Sequence, residues 1–556
     1  MRMKSVHLVV MGLLFAGMKV PSVTSNAPAQ SANMTSSTLS VSSGSTPAYA
    51  GSYPTEASSD LGRQIMTLLA EPTAARAHWG IAVTAMDGTP IYGLNEGKLF
   101  RPASNAKLFT TAAAMTLLGP ESVTRTEVIA DSLGSDGVVR GDVWLRSTGD
   151  ANLSGLAFPY TPVAGETPAS SDPLKAIDDL AAQVAARGVK RIAGKVIGDD
   201  TQWIWEPYPT AWAIDDMPWG YGAPVSSLTV NDSEITLTVH PGLRAGDAAT
   251  VTQSPDAGFY TLNVHVNTTA AKSANRINVE WPVGSKLVSV TGEIAVDGKD
   301  TETLAVSDPP LFAAEALKAR LIAHGVAVEG EASASERPST AVDGFTKQSR
   351  TPVDLPKPGE PLKVATEVCN DGCGEVLASR VSPALLQDVT YTLKESQNLH
   401  AEMLLRRLGR NYGTEASSAQ GARVVRQFLL NAGLSGDDFL FYDGSGLSDH
   451  DLVAPRVTAQ LLLWASKQPW FVQWKAALPL GGVDGTLAGR FKEPELKGRV
   501  WAKTGTLGES RGLAGYVQTA SGRWVIVAIY VDNHATFGSM DRAVMDKIVA
   551  AVVKAE

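Results

Sequence analysis

Cysteine and histidine are scarce along these 556 residues. Only Cys369 and Cys373 carry thiols, and the eight histidines are scattered, so no metal-ligand spacing emerges and metal chemistry finds no support. Runs of Lys or Arg are missing as well. With 48 basic against 57 acidic residues the net charge is -9, which offers a phosphate backbone no attraction and argues against nucleic-acid binding. Past the N-terminus, no apolar run approaches the roughly 20 residues of a membrane-spanning helix. What remains is the composition of a soluble globular chain, 44% hydrophobic and 19% charged, long enough for two to four domains.

The N-terminus has Arg2 and Lys4, an apolar stretch over 6–18, then small and polar residues, the layout of a secretory signal over 1–29 that leaves no stable membrane span after cleavage. Residues 30–58, rich in Ser, Thr, Ala and Pro, read as a flexible leader. In the oxidising compartment that export implies, Cys369 and Cys373 either close a small disulfide loop or stay as two thiols.

Leu61, Ile65, Leu68 and Leu69 share one face of a helix over 60–69, with Ser59 or Asp60 as its cap. A hairpin over 78–86 and 90–94 follows. The C-terminal end mirrors it, with a hairpin over 513–519 and 524–531 and a closing helix striped by Met540, Val544, Ile548 and Val552. The economical assembly is one antiparallel sheet built from both ends and flanked by helices, an α/β arrangement of the α+β kind. Two helix-Gly-Val-strand units, over 172–197 and 310–332, form a weak pseudo-repeat, and short strands over 235–240, 260–266, 277–281 and 287–296 lie between them. The expected organisation is a catalytic domain of 59–120 and 355–556, an inserted α/β domain of 121–200 and 300–354, and a nested β-rich domain of 201–299. Residues 333–361 read as a returning linker.

Three short motifs carry chemistry. Ser104 and Lys107, three residues apart at the start of a helix, lie side by side on one face, where a neutral lysine can take the proton of a serine nucleophile. Its pKa of about 10.4 must then be depressed by burial or a neighbouring cation. Ser396 and Asn398 fall inside a helix-like segment over 384–409 and can face a cleft only if that helix breaks. Lys503, Thr504, Gly505 and Thr506 precede the C-terminal hairpin, where a strand edge lets a substrate backbone approach and its carboxylate meet a cation.

In this order, Ser-x-x-Lys, Ser-x-Asn and Lys-Thr-Gly form the signature of penicillin-binding proteins and serine β-lactamases. Ser104 and Ser396 stand 292 positions apart, which demands a large insertion. The sequence therefore resembles the class C low-molecular-mass penicillin-binding proteins, the D-alanyl-D-alanine carboxypeptidase/endopeptidase family. Blocks at 198–200, 221–226, 398–402, 443–448, 482–486 and 511–516 are similar to that family's; Gln397, where the family often has Asp or Asn, departs from it.

The resemblance implies a penicillin-binding transpeptidase-like fold, Ser104 as acylated nucleophile, Lys107 as base, Ser396 as proton relay, Asn398 as a holder of the lysine and the substrate amide, and Lys503, Thr504 and Thr506 around the carboxylate. It further implies that Lys503 keeps Lys107 neutral and that the Ser104 and Thr506 N–H groups bind the oxyanion. Peptidoglycan stem peptides are the implied substrates, β-lactams the acylating inhibitors, and no cofactor is implied. A β-lactamase or esterase of the same fold and a non-catalytic wall-binding protein are the alternatives. The 443–448 and 482–486 blocks either shape the cleft or are ordinary turns. Trp203, Trp205, Trp212 and Trp219 line a groove or pack the insertion. Gly508-Glu509-Ser510-Arg511-Gly512, with Asp532 and His534 downstream, matches a nucleophile elbow in letters only, because a β-hairpin follows it.

Overall fold

Strands from the two ends of the chain share one five-stranded antiparallel sheet, in the order Pro90–Leu94, His78–Ala85, Trp524–Asp532, Ser510–Gln518, Val500–Leu507. The computed structural model describes residues 53, 59–162, 172–282, 284–357, 360, 362, 374–534 and 540–555, all within the unit Tyr49–Glu556. The expected signal and leader up to residue 52, and both Cys369 and Cys373, lie outside the described residues. Among those described, no helix is long and apolar enough to cross a membrane.

The sheet is buried on both faces. Val525, Val527, Ile529 and Val531 point to one side, against Leu61 and Ile65 of the helix Asp60–Leu69 and Val544, Ile548 and Val552 of the helix Met540–Ala555. Ile526, Ala528 and Tyr530 point to the other, against Val457 and Leu461 of the helix Pro455–Ala465, whose Thr458 hydroxyl lies 2.9 Å from that of Tyr530. Period-two alternation inside a continuous apolar run is what a strand covered on both faces requires. Ser59, the first of the two expected caps, accepts from the Gly62 N–H at 3.0 Å.

The insertion builds a second five-stranded sheet, Ala332–Ser335, Val196–Asp199, Val143–Ser147, Arg125–Ala130 and Glu375–Val381, with Lys175–Ala186 and Pro309–Ala323 as helices. The two halves of the pseudo-repeat pair in parallel, Ala327 opposite Arg191 and Ala332 opposite Val196. Each expected single strand is divided. Arg191–Ile192 and Ala327–Val328 join Val138–Val139 in a separate small sheet, and past Gly194 and Gly330 the chains continue into the larger one. Glu375–Val381 lies beyond the expected boundary at 355 yet pairs with Arg125–Ala130. Asp300–Ala305 likewise pairs with Glu234–His240, inside the β-rich part. The 333–361 stretch is no bare linker, since it holds the short helix Phe345–Arg350, whose Phe345 stacks on Tyr442 at 4.4 Å.

Candidate active site

Ser104 sits in a single 3-10 turn, Ala103–Asn105, immediately before the helix that carries Lys107. The spacing of three brings Lys107 Nζ to 2.8 Å from Ser104 Oγ. The expected helix over 384–409 is broken into Leu385–Lys394 and Asn398–Tyr412. At the break Ser396 adopts φ 63°, costly for a residue with a side chain, while Gln397 caps the second helix by accepting from the Leu399 N–H at 2.7 Å. Gln397 thus does local structural work at the position where the sequence departs from the family.

The break delivers both polar residues of the second motif. Asn398 Oδ1 accepts from Lys107 Nζ at 2.6 Å, and Asn398 Nδ2 donates to the Tyr221 carbonyl of the insertion at 2.8 Å. Ser396 Oγ lies 2.7 Å from Nζ of Lys503, which runs along the edge strand Val500–Leu507. Ser104, Lys107 and Asn398 therefore form one hydrogen-bonded set and Ser396 and Lys503 a second, with the two lysines close enough to repel each other. Gly505 is required by the fold: a Cβ there would meet the Pro102 carbonyl at 2.7 Å, so the glycine lets the edge strand lie against the Ser104 turn. Thr504 and Thr506 lie on the same strand, and the Thr504 hydroxyl is 2.8 Å from that of Thr486.

Burial controls the two lysines. Lys107 is fully buried, and desolvation brings its pKa down to about 7 against the opposing attraction of Asp443 and Glu402. Lys503, equally buried, is held well below the ordinary lysine value by desolvation first and by Lys107 second. The principal cause at Lys107 is therefore its own desolvation, and the electrostatic repulsion is seen at Lys503.

The residues given no role at first form the floor. The Ser445 carbonyl accepts from Lys107 Nζ at 2.8 Å, and the N–H groups of Gly444 and Ser445 donate to Glu402 Oε1 at 2.9 and 2.8 Å. Asp443 accepts from the N–H groups of Gly446 and Ser448 and from Trp212 Nε1. The 443–448 block is thus a floor under the lysine, and Trp212 and Trp203 are buried packing. In the other block, Asp484 accepts from Lys394 Nζ at 2.6 Å. The signal was present in the sequence as blocks, but nothing there gave the hydrogen-bond partners. His400, also unassigned, is buried between Asp388 and Asp232, with Nδ1 and Nε2 at 2.5 and 3.0 Å from the two carboxylates. Ser510 of the elbow-like motif is buried at the start of a strand after the Gly508-Glu509 turn, and no helix follows.

Comparison with known proteins gives the family and the fold. The model of the D-Ala-D-Ala carboxypeptidase 3 (S13) family matches residues 61–355 and 363–553. A D-alanyl-D-alanine carboxypeptidase of Actinomadura sp. (strain R39) is 31% identical over 504 residues, 88% of this chain and 84% of the relative. The carboxypeptidase DacB of Haemophilus influenzae is 23% identical, over 78% of this chain and 81% of its own. The crystal structure of penicillin binding protein 4 (dacB) from Haemophilus influenzae superimposes with a TM-score of 0.70 at 20% identity, covering 88% of this chain and 98% of that one, which establishes the shared fold. The chain belongs to the D-Ala-D-Ala carboxypeptidase 3 (S13) family, with the mixed α/β fold of its penicillin-binding members.

Proposed function

We propose that this protein is exported and hydrolyses D-Ala-D-Ala peptides of peptidoglycan through an acyl-enzyme on Ser104, as carboxypeptidase and as endopeptidase, and that β-lactams acylate the same serine. The observation that carries the reading is the 2.8 Å approach of a buried lysine, its pKa brought down to about 7, to the Ser104 hydroxyl. Near neutral pH a large fraction of that amine is unprotonated and can serve as a base.

Ser104 Oγ attacks the carbonyl of the penultimate D-alanine as its proton passes to Lys107, and the N–H groups of Ser104 and Thr506 hold the oxyanion. Ser396 Oγ, bonded to Lys503, relays to the departing amine the proton that Lys107 took, so that Ser396 keeps its hydroxyl and Lys107 is neutral again. Asn398 holds Lys107 in place and presents its amide to the substrate backbone. Water then attacks the ester, the neutral Lys107 accepts the water's proton, and that proton passes back to Ser104 Oγ as the acyl group leaves. The reading of the insertion as two nested domains belongs to the same proposal: its Tyr221 carbonyl anchors Asn398 from outside the sheet-bearing part. A relative supports the inhibitor class: penicillin binding protein 4 from Haemophilus influenzae has been crystallised with a β-lactam.

The test is incubation of the mature protein and Ser104→Ala with a fluorescent penicillin, followed by denaturing electrophoresis and mass spectrometry. A long-lived adduct on Ser104, absent from the variant, together with release of D-alanine from a stem-peptide analogue, is the expected result. Rapid antibiotic hydrolysis without a lasting adduct moves the reading to a β-lactamase. Neither adduct nor hydrolysis leaves a wall-binding protein.

A further inference from the structure

A substrate that ends in a carboxylate needs a cation in the cleft, and the sequence assigns that task to Lys503. Lys503 is fully buried, and its Nζ donates to Ser396 Oγ at 2.7 Å and to the Thr504 carbonyl at 2.8 Å. Desolvation, and then Lys107, disfavour its charged form. It is placed to move a proton, and poorly placed to confront an anion at the mouth of the cleft.

The positive charge lies on the other flank of the same strand. A cavity of about 200 Å³ opens among Thr504, Thr506, Arg490, Arg511 and Arg542. Arg511 stands directly opposite Thr506 in the strand register, and its Nη1 donates to Thr506 Oγ1 at 3.0 Å. That bond uses the exposed threonine hydroxyl as an acceptor, so its own O–H is left to donate toward a ligand. Arg511 is held by an ion pair with Asp541, and Arg490 by one with Asp546 at 2.6 Å. Asp541, Asp546 and nearby Glu493 offset much of this charge, so what the recess offers a carboxylate is directed guanidinium and hydroxyl donors on the strand flank rather than a net charge.

We infer that Arg511 is the specificity-determining residue for the leaving group: it orients the Thr506 hydroxyl and, with Arg490 and Arg542, selects substrates that end in a free carboxylate, while Lys503 serves the proton path. This inference rests on the acyl-transfer reading above.

The experiment compares two acyl-D-Ala thioesters that differ only in whether the leaving group ends in a carboxylate or in its methyl ester, a pair reactive enough to be turned over without the carboxylate. Wild type prefers the carboxylate. Arg511→Gln raises KM for it about 10- to 100-fold with kcat little changed, the effect of losing one charge-assisted contact, and leaves the methyl ester within about twofold. Arg511→Lys, which keeps the charge without the fork, gives an intermediate preference. Equal loss on both thioesters in Arg511→Gln, or an unchanged preference, overturns the inference. If that variant does not fold, Thr506→Val decides: a selective loss supports the assignment, and a retained preference overturns it. Wild type turning over neither thioester, with no adduct on Ser104, overturns the proposed function instead.

Discussion

Asn398 Oδ1 lies 2.6 Å from Lys107 Nζ, across 291 positions of sequence. The contact is possible because the helix that would have run through Asn398 breaks at Ser396, and because the amide's other end is tied to the Tyr221 carbonyl of the insertion. Lys107 is thereby held toward Ser104 by groups from three separate stretches of chain.

Protonation of Lys107 should govern acylation. Its pKa is down to about 7, so the amine is protonated below that value and free to accept the serine proton above it. The rate constant for adduct formation with a fluorescent penicillin, followed from pH 5 to 9, should rise through about pH 7 and level off. A profile flat across this range would exclude Lys107 as the base.

Glu402 should hold the floor of the site as an acceptor of hydrogen bonds. Glu402→Ala leaves the Gly444 and Ser445 N–H groups buried without a partner, a loss of about 2–4 kcal/mol. In Glu402→Gln the amide oxygen can accept both, and the loss should stay near about 1 kcal/mol. Denaturant midpoints of the two variants measure the difference, and equal midpoints would remove the hydrogen-bond account.

A side chain at position 446 should disable the nucleophile turn. Gly446 has φ 81°, and a Cβ there would meet the Ala103 carbonyl at 1.8 Å, next to Ser104. Gly446→Ala must therefore displace either the floor or the turn, and a shift of about 1 Å costs on the order of 100-fold in rate. The check is the acylation rate of a variant that still melts cooperatively.

His400 should make stability depend on alkaline pH. Burial alone would lower its pKa, but Asp232 and Asp388 outweigh that and raise it to about 10. A folded-state pKa above the unfolded value near 6.5 means the contribution is complete below about pH 6.5 and is lost as pH rises through about 10. Thermal melts of wild type between pH 6 and 10 should show this decline, and His400→Gln should lack its share of it. His400→Ala, which leaves two buried carboxylates without their cation, should lose about 3–5 kcal/mol at pH 6.

Much of this protein was legible in its sequence, because much of it is local. Spacing alone put Ser104 beside Lys107, since residues three apart meet at a helix start. Period-two alternation and turn residues gave the two hairpins, and a shared apolar character gave their union in one sheet. The order of three short motifs gave the family. What the sequence did not contain was partnership over distance. The division of the pseudo-repeat strands between two sheets follows from which neighbours lie alongside. Whether 384–409 is one helix or two depends on the contacts that repay the strained Ser396 backbone. The burial of Lys503 could not be read from its motif, because desolvation belongs to the packed fold and to no single residue. The sequence by itself determined the chemical groups and their local geometry; the tertiary structure decided which of them are dry, which are paired and which are left to meet a substrate, because those properties depend on surroundings that only folding supplies.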